Sequence, residues 1–333
     1  NPLAKLVPQF FGDYPKQFLK LFDQVYIPPD LNEEEIKDNL WRAFEFGSRY
    51  HEGQKRKSGE PYFNHCVEVA STLADWNMDY TTIMAGLLHD VVEDTNITLK
   101  DIENEFNEDL ANLVDGLTKI SGIEFGTRRE KQAGNFMKML LSVAKDIRVI
   151  IIKFADRMHN MNTITHMPRM KQRRIAIETR DVYSPLAHRL GMASVKSKLD
   201  DLAFQVLNKN EYNSIASKLK TTNRQRKKLI NSYIEPISKG LEKYKIECNI
   251  FGRSKSFFSI YGKMLNRKKA FEDIYDLYAI RIVVNKVEDC YSALGVVHNI
   301  FTPVQERFKD FIATPKTNGY QSIHTTIIGT DGK

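Results

Sequence analysis

The spacing of apolar residues changes once along this chain, near residue 200, and that change constrains the fold more than any other feature. From Leu31 to about Leu199 the apolar residues recur at helical spacing almost throughout. Beyond residue 240, β-branched runs typical of strands alternate with helical segments; the runs are Ile246–Ile250, Leu277–Val284 and Ile323–Ile328. We therefore predict an all-α domain over residues 1–198 and an α+β domain over residues 199–333.

Composition excludes several classes of protein. The 333 residues are 42% hydrophobic and 27% charged, which is typical of a globular protein with two cores and not of a disordered or fibrous chain. No run of 18 apolar residues occurs, so we expect no membrane-spanning helix and no membrane partner. The chain shows no basic-then-apolar leader and begins without Met, and we expect it to be a piece of a longer protein.

The cysteines and the charges indicate a compartment and a class of partner. Cys66, Cys248 and Cys290 are too widely spaced for a disulfide framework or a CxxC metal site, which favours a cytoplasmic protein. The net charge of +7 is uneven: residues 201–333 carry 22 Lys and Arg against 13 Asp and Glu. This basic excess favours a polyanionic partner such as a nucleotide, although a solvated basic face would have the same charge.

The segment from His89 to Thr95 carries the strongest indication of chemistry. At helical spacing, His89 and Glu93 are one turn apart, as are Asp90 and Asp94, so we expect the four polar groups to share one face. Three clustered carboxylates repel one another unless a cation lies among them. An imidazole beside a carboxylate is a common ligand pair for a first-row divalent metal.

Two other segments offer further metal ligands. His65 opens an apolar helix, and Asp156 follows a strongly apolar run in which a buried carboxylate needs a partner. Asn160 and Thr163 lie on the same helical face as Asp156. Two His and two Asp would leave coordination positions open for water and substrate.

Two more histidines are predicted to stand apart from this cluster. They are His51 and His159, the second of which lies about 100° round the helix from Asn160.

These motifs resemble the HD-type phosphohydrolases and, most closely, the long RelA/SpoT homologues, which make and destroy (p)ppGpp. The resemblance covers about residues 20–333 and rests on the segments Arg56–Tyr62, His89–Thr95, Asp156–Thr163, Gly252–Lys255, Asp273–Leu277 and Asn318–Thr326. It implies an all-α HD-type hydrolase domain followed by an α+β nucleotidyltransferase-like (pyrophosphokinase) domain that is truncated at its C-terminus.

For the first domain the resemblance implies removal of the 3′-pyrophosphate of ppGpp or pppGpp to give GDP or GTP. The implied Mn²⁺ ligands are His65, His89, Asp90 and Asp156. Glu93 and Asp94 would position and activate the attacking water, and Arg56 would stack on the guanine. The remaining nucleotide contacts would come from Lys57, Ser58, Asn160 and Thr163.

A second constellation lies in the basic part of the chain. Lys255, Ser259 and Lys263 are four residues apart and would form one helix face aimed at a polyphosphate, although a solvated basic helix has the same pattern. The resemblance implies that Arg253 and Arg281 sandwich the adenine of ATP. It also implies a Mg²⁺ ligand in Asp276 and a GDP/GTP side formed by Lys309, Lys316, Asn318, Tyr320 and His324.

The implied second reaction transfers the β,γ-pyrophosphate of ATP to the 3′-hydroxyl of GDP or GTP. The segment Arg307–Asp310 resembles that of the bifunctional members. The family's second synthetase carboxylate would lie on a strand beyond residue 333, so we expect this chain to hydrolyse but not to synthesise. The longer protein is expected to do both, and any contact with the ribosome is expected to lie outside this chain.

Two alternatives remain at this stage. One is an HD nucleotidase or phosphodiesterase with another nucleotide substrate, which would have no use for the Arg56–Ser58 segment or a second nucleotide pocket. The other is a catalytically silent sensor of guanine nucleotides, which would gain nothing from crowding Glu93 and Asp94 near phosphates. Direct nucleic-acid binding is not expected, because no basic motif is interleaved with aromatic residues.

Overall fold

The computed structural model describes residues 14–119, 127–219, 223–267, 270–271, 274, 277–317 and 319–329. The chain forms two compact units, residues 1–199 and residues 200–333. In the described part of the chain, no helix has both the length and the apolar character needed to cross a membrane.

The first unit is helical, as the apolar spacing predicts. Its helices are α1 (Lys16–Phe22), α2 (Glu33–Tyr50), α3 (Phe63–Asp75), α4 (Tyr80–Leu88), α5 (Val91–Asp94), α6 (Leu99–Glu105), α7 (Glu108–Leu117), α8 (Arg128–Lys145), α9 (Arg148–Asn162), α10 (Arg169–Glu178), α11 (Ser184–Arg189) and α12 (Ala193–Leu207), whose last residues belong to the second unit. Many begin at a side-chain cap; Thr98 and Asp101, for example, form a capping box at the start of α6.

The core of the first unit forms where α4 packs against α2, α3 and α7, and where α3 packs against α9. Helix α4 is apolar on all sides, and its residues from Thr82 to Leu88 are all buried. Helix α3 buries His65 and Cys66 at its start together with the apolar face that follows. The packing of α3, α4 and α9 therefore sets the positions of the candidate ligands that these helices carry.

The segment around His89 differs from the predicted helix in one respect. Helix α4 ends at Leu88, and the separate turn α5 begins only at Val91. Asp90, with φ −103° and ψ −4°, lies between them. The expectation of one continuous helical face across this segment is therefore wrong, because the chain bends at the two residues whose side chains enter the polar cluster.

Close packing of α4 on α3 leaves no room for a side chain at Gly86. A Cβ atom built there would lie 2.6 Å from Leu73 Cδ1, and Leu73 is fully buried. We expect Gly86→Ala to lower the free energy of unfolding by about 1–3 kcal/mol through overpacking. Urea denaturation followed by circular dichroism measures this change.

The matched control is Gly295→Ala on a helix of the second unit, where the added Cβ meets no described atom within 4 Å. This substitution should leave stability unchanged or raise it by up to about 1 kcal/mol, because Ala has the higher helix propensity. Equal effects of the two substitutions would contradict the packing at Gly86.

The second unit combines helices with short antiparallel sheets, as predicted. Its elements after α12 are α13 (Lys209–Leu219), α14 (Asn223–Lys243), β1 (Cys248–Ser254), α15 (Phe257–Arg267), β2 (Tyr278–Val284), α16 (Val287–Ile300), β3 (Lys309–Asp310) and β4 (Ile323–His324). Strand β1 pairs with β2 from Cys248↔Val284 to Ser254↔Tyr278, and β3 pairs with β4. The predicted strand Ile323–Ile328 is shorter than expected, with one further bridge between Pro303 and Ile327.

One face of the β1–β2 pair packs on α14 and α16. Ile250, Ile280 and Ile282 point to that side and contact a core that includes Ile237 and Val296. Because side chains alternate along a strand, the other face is left exposed. A second cluster joins Phe204, Ile215, Ile260 and Ile274.

Candidate metal centre and nucleotide sites

Two buried histidines face each other in the first unit. His65 lies in the first turn of α3 and His89 directly after α4, with ring centroids 5.1 Å apart. The Nδ1 atom of His89 donates to the carbonyl oxygen of Gly86 at 2.8 Å, because that oxygen can only accept. Its Nε2 atom is buried and has no hydrogen-bond partner within the described residues.

Two carboxylates approach these imidazoles. Oδ2 of Asp90 lies 3.1 Å from His89 Nε2 and 3.7 Å from His65 Nε2. Oδ1 of Asp156 lies 3.3 Å from His65 Nε2 and 3.9 Å from His89 Nε2. The four candidate ligands thus come together from α3, α9 and the bend between α4 and α5.

The arrangement suits a divalent metal ion. Ligand atoms of His65, His89 and Asp156 all lie within 4.8 Å of one another, and Asp90 adjoins both histidines. Imidazole nitrogens with carboxylate oxygens are a donor set that first-row divalent metals accept. Nε2 of His89 is buried and lies 3.1 Å from Asp90 without a well-aligned hydrogen bond, and an ion at this position would satisfy it.

Electrostatics at the cluster favours a positive charge. Burial raises the pKa of Asp90 and of Asp156, but the imidazoles beside them hold both pKa values well below their ordinary range. Burial likewise opposes a charged His89, yet the Asp90 carboxylate outweighs it and raises the pKa of His89 to about 9. A proton or a metal cation can supply the charge that the two carboxylates stabilise.

Tyr62 contributes to the cluster, although the sequence pattern did not single it out. Its hydroxyl donates to Asp90 Oδ2 at 2.7 Å, and its ring stacks on His51 with centroids 5.0 Å apart. Burial, and then the negative charge of Asp90, raise the pKa of Tyr62, so the hydroxyl keeps its proton. The residue therefore orients the Asp90 carboxylate from outside the ligand set.

The prediction that His159 stands apart from the site is wrong. Its Nδ1 atom lies 2.7 Å from Nδ1 of His65 and 2.9 Å from a guanidinium nitrogen of Arg56. Burial, followed by the neighbouring charges of His65 and Arg56, lowers the pKa of His159 to about 4, which keeps the ring neutral. His51, by contrast, bonds to Gln54 and stacks on Tyr62 beside the cluster.

Some of the residues expected to bind nucleotide are hydrogen-bonded to this centre, whereas others lie at the solvent boundary. Arg56 donates to the side-chain oxygen of Asn160 at 2.6 Å, and the Asn160 amide donates to Asp156. The hydroxyl of Thr163 donates back to the carbonyl of His159 at 3.0 Å. Lys57 is exposed and Ser58 half-buried, so their side chains border the solvent.

Glu93 is held by Lys119. One carboxylate oxygen of Glu93 accepts the backbone N–H of Lys119 at 2.6 Å, and the other accepts its ammonium group. Burial opposes the charge of Lys119, but the Glu93 carboxylate raises its pKa above the ordinary value. Asp94 is exposed, and its carbonyl oxygen accepts from Gln54 at 2.8 Å.

In the second unit, the pairing of β1 with β2 brings two predicted residues to one face. Arg253 is paired with Ala279, and Arg281 is paired with Phe251. Because directly paired residues point the same way, both arginines lie on the exposed face of this sheet.

The basic helix face of the second unit has an acidic neighbour. Ser259 and Lys263 share one face of α15, and Lys255 precedes the helix. The carboxylate of Asp201 accepts the first backbone N–H groups of α15, from Phe257 at 3.2 Å and Phe258 at 2.8 Å. Residue spacing alone contains no indication of this capping contact, because the partners are 56 and 57 positions apart.

Four residues of the predicted guanine side lie together. Lys309 is paired with His324 across β3 and β4, and Nε2 of His324 lies 2.9 Å from the hydroxyl of Tyr320. The ammonium group of Lys316 lies 5.3 Å from the centre of the Tyr320 ring. Burial, and then Lys316, Lys309 and Arg281, lower the pKa of His324. The remaining two predictions, Asp276 and Asn318, lie outside the described residues.

Two regions of the chain match known protein families. Residues 43–193 match the family described as HD domain. Residues 252–333 match the family described as a region found in RelA/SpoT proteins.

Three curated relatives have similar sequences. The bifunctional (p)ppGpp synthase/hydrolase SpoT of Escherichia coli K12 is 45% identical over 93% of this chain and 43% of its own length. The guanosine-3′,5′-bis(diphosphate) 3′-pyrophosphohydrolase of Vibrio cholerae is 45% identical over 91% of this chain and 43% of its own. The GTP pyrophosphokinase of Streptomyces coelicolor is 46% identical over 88% of this chain and 34% of its own.

The chain thus spans less than half the length of these relatives. Both matched regions lie in this one chain, and the HD match encloses all four candidate metal ligands. With an HD domain followed by a RelA/SpoT region, this chain belongs to the RelA/SpoT family.

Proposed function

We propose that the first unit hydrolyses the 3′-pyrophosphate of ppGpp and pppGpp in a Mn²⁺-dependent reaction, with GDP or GTP and pyrophosphate as products. The observation that carries this proposal is the convergence of His65, His89, Asp90 and Asp156 on one point, one hydrogen bond away from the Arg56 network. The names of relatives at about 45% identity support the same reaction. Such a reaction places the protein in the stringent response.

The four clustered ligands would hold the metal ion. When bound, Mn²⁺ would offset the negative charge of the phosphate oxygens and make an attacking water more acidic. The choice of Mn²⁺ over other divalent ions follows from the family resemblance, and the mixed nitrogen and oxygen donors support it over Mg²⁺, which prefers oxygen ligands.

The chain's own side chains would position the nucleotide and the water. Arg56 presents a planar guanidinium that can stack on guanine, and Lys57 and Ser58 border the solvent where phosphates can approach. Asn160 accepts a hydrogen bond from Arg56, and Thr163 follows directly after the end of α9 at Asn162. Glu93, fixed by Lys119, would orient the attacking water and accept its proton, with Asp94 as a second carboxylate beside it.

Product analysis by anion exchange tests this function. The chain is incubated with ppGpp and Mn²⁺, and matched samples contain a chelator or the Asp90→Ala variant. We expect GDP and pyrophosphate to appear only in the untreated wild-type sample. Bound but unconverted ppGpp would instead indicate a nucleotide sensor, and turnover of other nucleotides alone would indicate a different HD hydrolase.

The variant Tyr62→Phe tests whether the Tyr62 hydroxyl orients the proposed metal ligand Asp90. The variant loses the hydroxyl that donates to Asp90 but keeps the ring that stacks on His51. We expect Mn²⁺ affinity, measured by titration calorimetry, to fall about 10–100-fold, as is usual when a group that orients a ligand is removed. Tyr50→Phe, in a ring pair with Phe46, is the matched control and should bind Mn²⁺ like wild type. Unchanged affinity of Tyr62→Phe would refute the orienting role.

For the second unit we propose a pyrophosphokinase-type site that takes ATP with Mg²⁺ and a guanine nucleotide. The shared exposed face of Arg253 and Arg281 and the adjoining group around His324 support it. Asp276 would hold the Mg²⁺ ion. In the reaction, the guanine nucleotide's 3′-hydroxyl attacks the β-phosphorus of ATP, the β,γ-pyrophosphate is transferred and AMP leaves.

Equilibrium binding of ATP tests this second site. We expect Arg281→Gln to weaken ATP binding by about tenfold, because a stacked guanidinium contributes about 1–2 kcal/mol when it is desolvated. Lys286→Gln, which removes the same charge at the start of α16, should bind ATP like wild type. Equal loss in both variants would indicate only a general charge effect.

We also propose a cytoplasmic location, because both sites would use nucleotides. The three cysteines, Cys66, Cys248 and Cys290, are free, which supports a reducing compartment.

A further inference from the structure

Five side chains around the candidate metal centre form a closed ring of contacts. His65 contacts His159, which contacts Arg56, which contacts Asn160, which contacts Asp156, and Asp156 lies 3.3 Å from His65. Two members of the ring are proposed metal ligands and one is the proposed guanine-stacking residue. The ring therefore joins the metal side of the site to the nucleotide side.

The hydrogens in this ring can be assigned from the identities of the donors. Arg56 only donates, so Nδ1 of His159 must accept from it, at 2.9 Å. The single lone pair of that bare Nδ1 atom is shared, because it also accepts from Nδ1 of His65, at 2.7 Å, and this contact places the hydrogen of His65 on Nδ1. The lone pair of His65 consequently remains on Nε2, the atom that faces Asp156 and Asp90.

We propose that His159 is a positioning residue that couples metal binding to the guanine side of the site. Its single nitrogen atom Nδ1 fixes the tautomer of the ligand His65 and at the same time anchors the guanidinium of Arg56. This inference rests on the proposed metal and nucleotide sites. It adds a residue outside the proposed ligands of the ion and the proposed contacts of the nucleotide.

The coupling has two consequences. Because His65 can ligate through Nε2 only while Nδ1 carries its hydrogen, loss of the His159 acceptor weakens metal binding. Because Arg56 and His65 donate to the same lone pair, the two hydrogen bonds compete, so a stronger His65 contact weakens the Arg56 contact, and this coupling must be reciprocal. A change at Arg56 should therefore alter Mn²⁺ affinity with no nucleotide present.

A pair of substitutions at His159 tests the positioning role. In His159→Asn the side-chain oxygen can occupy the place of Nδ1, whereas in His159→Gln the corresponding oxygen lies one bond further from the backbone. Mn²⁺ affinity is measured by titration calorimetry and by electron paramagnetic resonance of the free ion, without nucleotide. We expect His159→Gln to lose about 10–100-fold in affinity and His159→Asn to stay within about threefold of wild type.

A double-mutant cycle tests the coupling to Arg56. We expect Arg56→Gln to tighten Mn²⁺ binding by about three- to tenfold in the wild-type background, because it frees the lone pair of His159 for His65, and to have a smaller effect in His159→Gln. Lys55→Gln removes the same charge one residue earlier, at an exposed position, and should leave Mn²⁺ affinity unchanged.

The outcomes separate this inference from the proposed function. Absence of Mn²⁺ binding in the wild-type chain would overturn the metal site itself. Normal binding in wild type together with equal affinities of the two His159 variants would overturn the positioning role. If His159→Gln fails to fold, the Arg56→Gln and Lys55→Gln pair decides: equal Mn²⁺ affinities would refute the coupling, and a selective gain in Arg56→Gln would support it.

Discussion

Asp156→Asn is expected to abolish Mn²⁺ binding and to lower the rate of ppGpp hydrolysis by about 10³-fold or more. The substitution keeps the size of the side chain and an oxygen that can accept from Asn160. It removes the negative charge that lies 3.3 Å from His65 and 3.9 Å from His89. A metal that supplies several kcal/mol of transition-state stabilisation corresponds to a rate effect of this size.

Thermal unfolding in the presence and absence of Mn²⁺ gives an independent measure of the same loss. A ligand at 100 times its dissociation constant stabilises a protein by about 2.7 kcal/mol. Wild type should therefore gain stability when Mn²⁺ is added, and Asp156→Asn should gain none. The control Asp115→Asn lies in the same unit and loses only a surface ion pair with Lys138, so its response to Mn²⁺ should match that of wild type.

If Asp156→Asn gained the same stabilisation from Mn²⁺ as wild type, Asp156 would not be a ligand. The ion would then have to bind elsewhere in the chain.

Glu93→Gln is expected to lower kcat by about 10²- to 10⁴-fold while Mn²⁺ affinity stays near that of wild type. The amide oxygen of Gln can still accept the backbone N–H of Lys119, which the carboxylate accepts at 2.6 Å. It cannot take a proton from water. The variant therefore removes the proposed proton acceptor without removing a metal ligand, so Asp156→Asn and Glu93→Gln should differ in Mn²⁺ binding.

Single-turnover hydrolysis of ppGpp at saturating Mn²⁺ measures this effect, and calorimetry measures metal affinity on the same samples. Glu103→Gln, on the exposed face of α6, is the matched control and should retain full activity. A kcat of Glu93→Gln within threefold of wild type would remove Glu93 from the mechanism. Loss of Mn²⁺ binding in this variant would instead make Glu93 a ligand.

Local sequence predicted the elements of the fold well, because each element must bury one face. The helical spacing before residue 200 and the β-branched runs after residue 240 give the observed order of helices and strands. The observed elements differ from the predicted ones only over short segments. One is the bend at His89 and Asp90, which interrupts an otherwise helical pattern. Strand β4 is shorter than its β-branched run, because few described residues pair with it.

Only part of the candidate site could be predicted from the sequence. The sequence alone placed His89 beside Asp90, and Asp156 one turn before Asn160, because these pairs are neighbours in the chain. It could not place His159, since a residue 100° round α9 from Asn160 was expected to face elsewhere. Only the packing of α3 against α9 brings His159 to His65, which is 94 positions away.

What the sequence by itself determined is therefore the kind of element at each place, the chemistry of the candidate ligands and the family. These follow from periodicity and from motifs, which are properties of nearby residues. What only the tertiary structure decided is which groups orient the side chains of the site: Tyr62 orients Asp90, Lys119 orients Glu93 and His159 orients His65. Such contacts depend on how helices distant in sequence pack, and a rotation of one helix by a fraction of a turn would replace each partner with another.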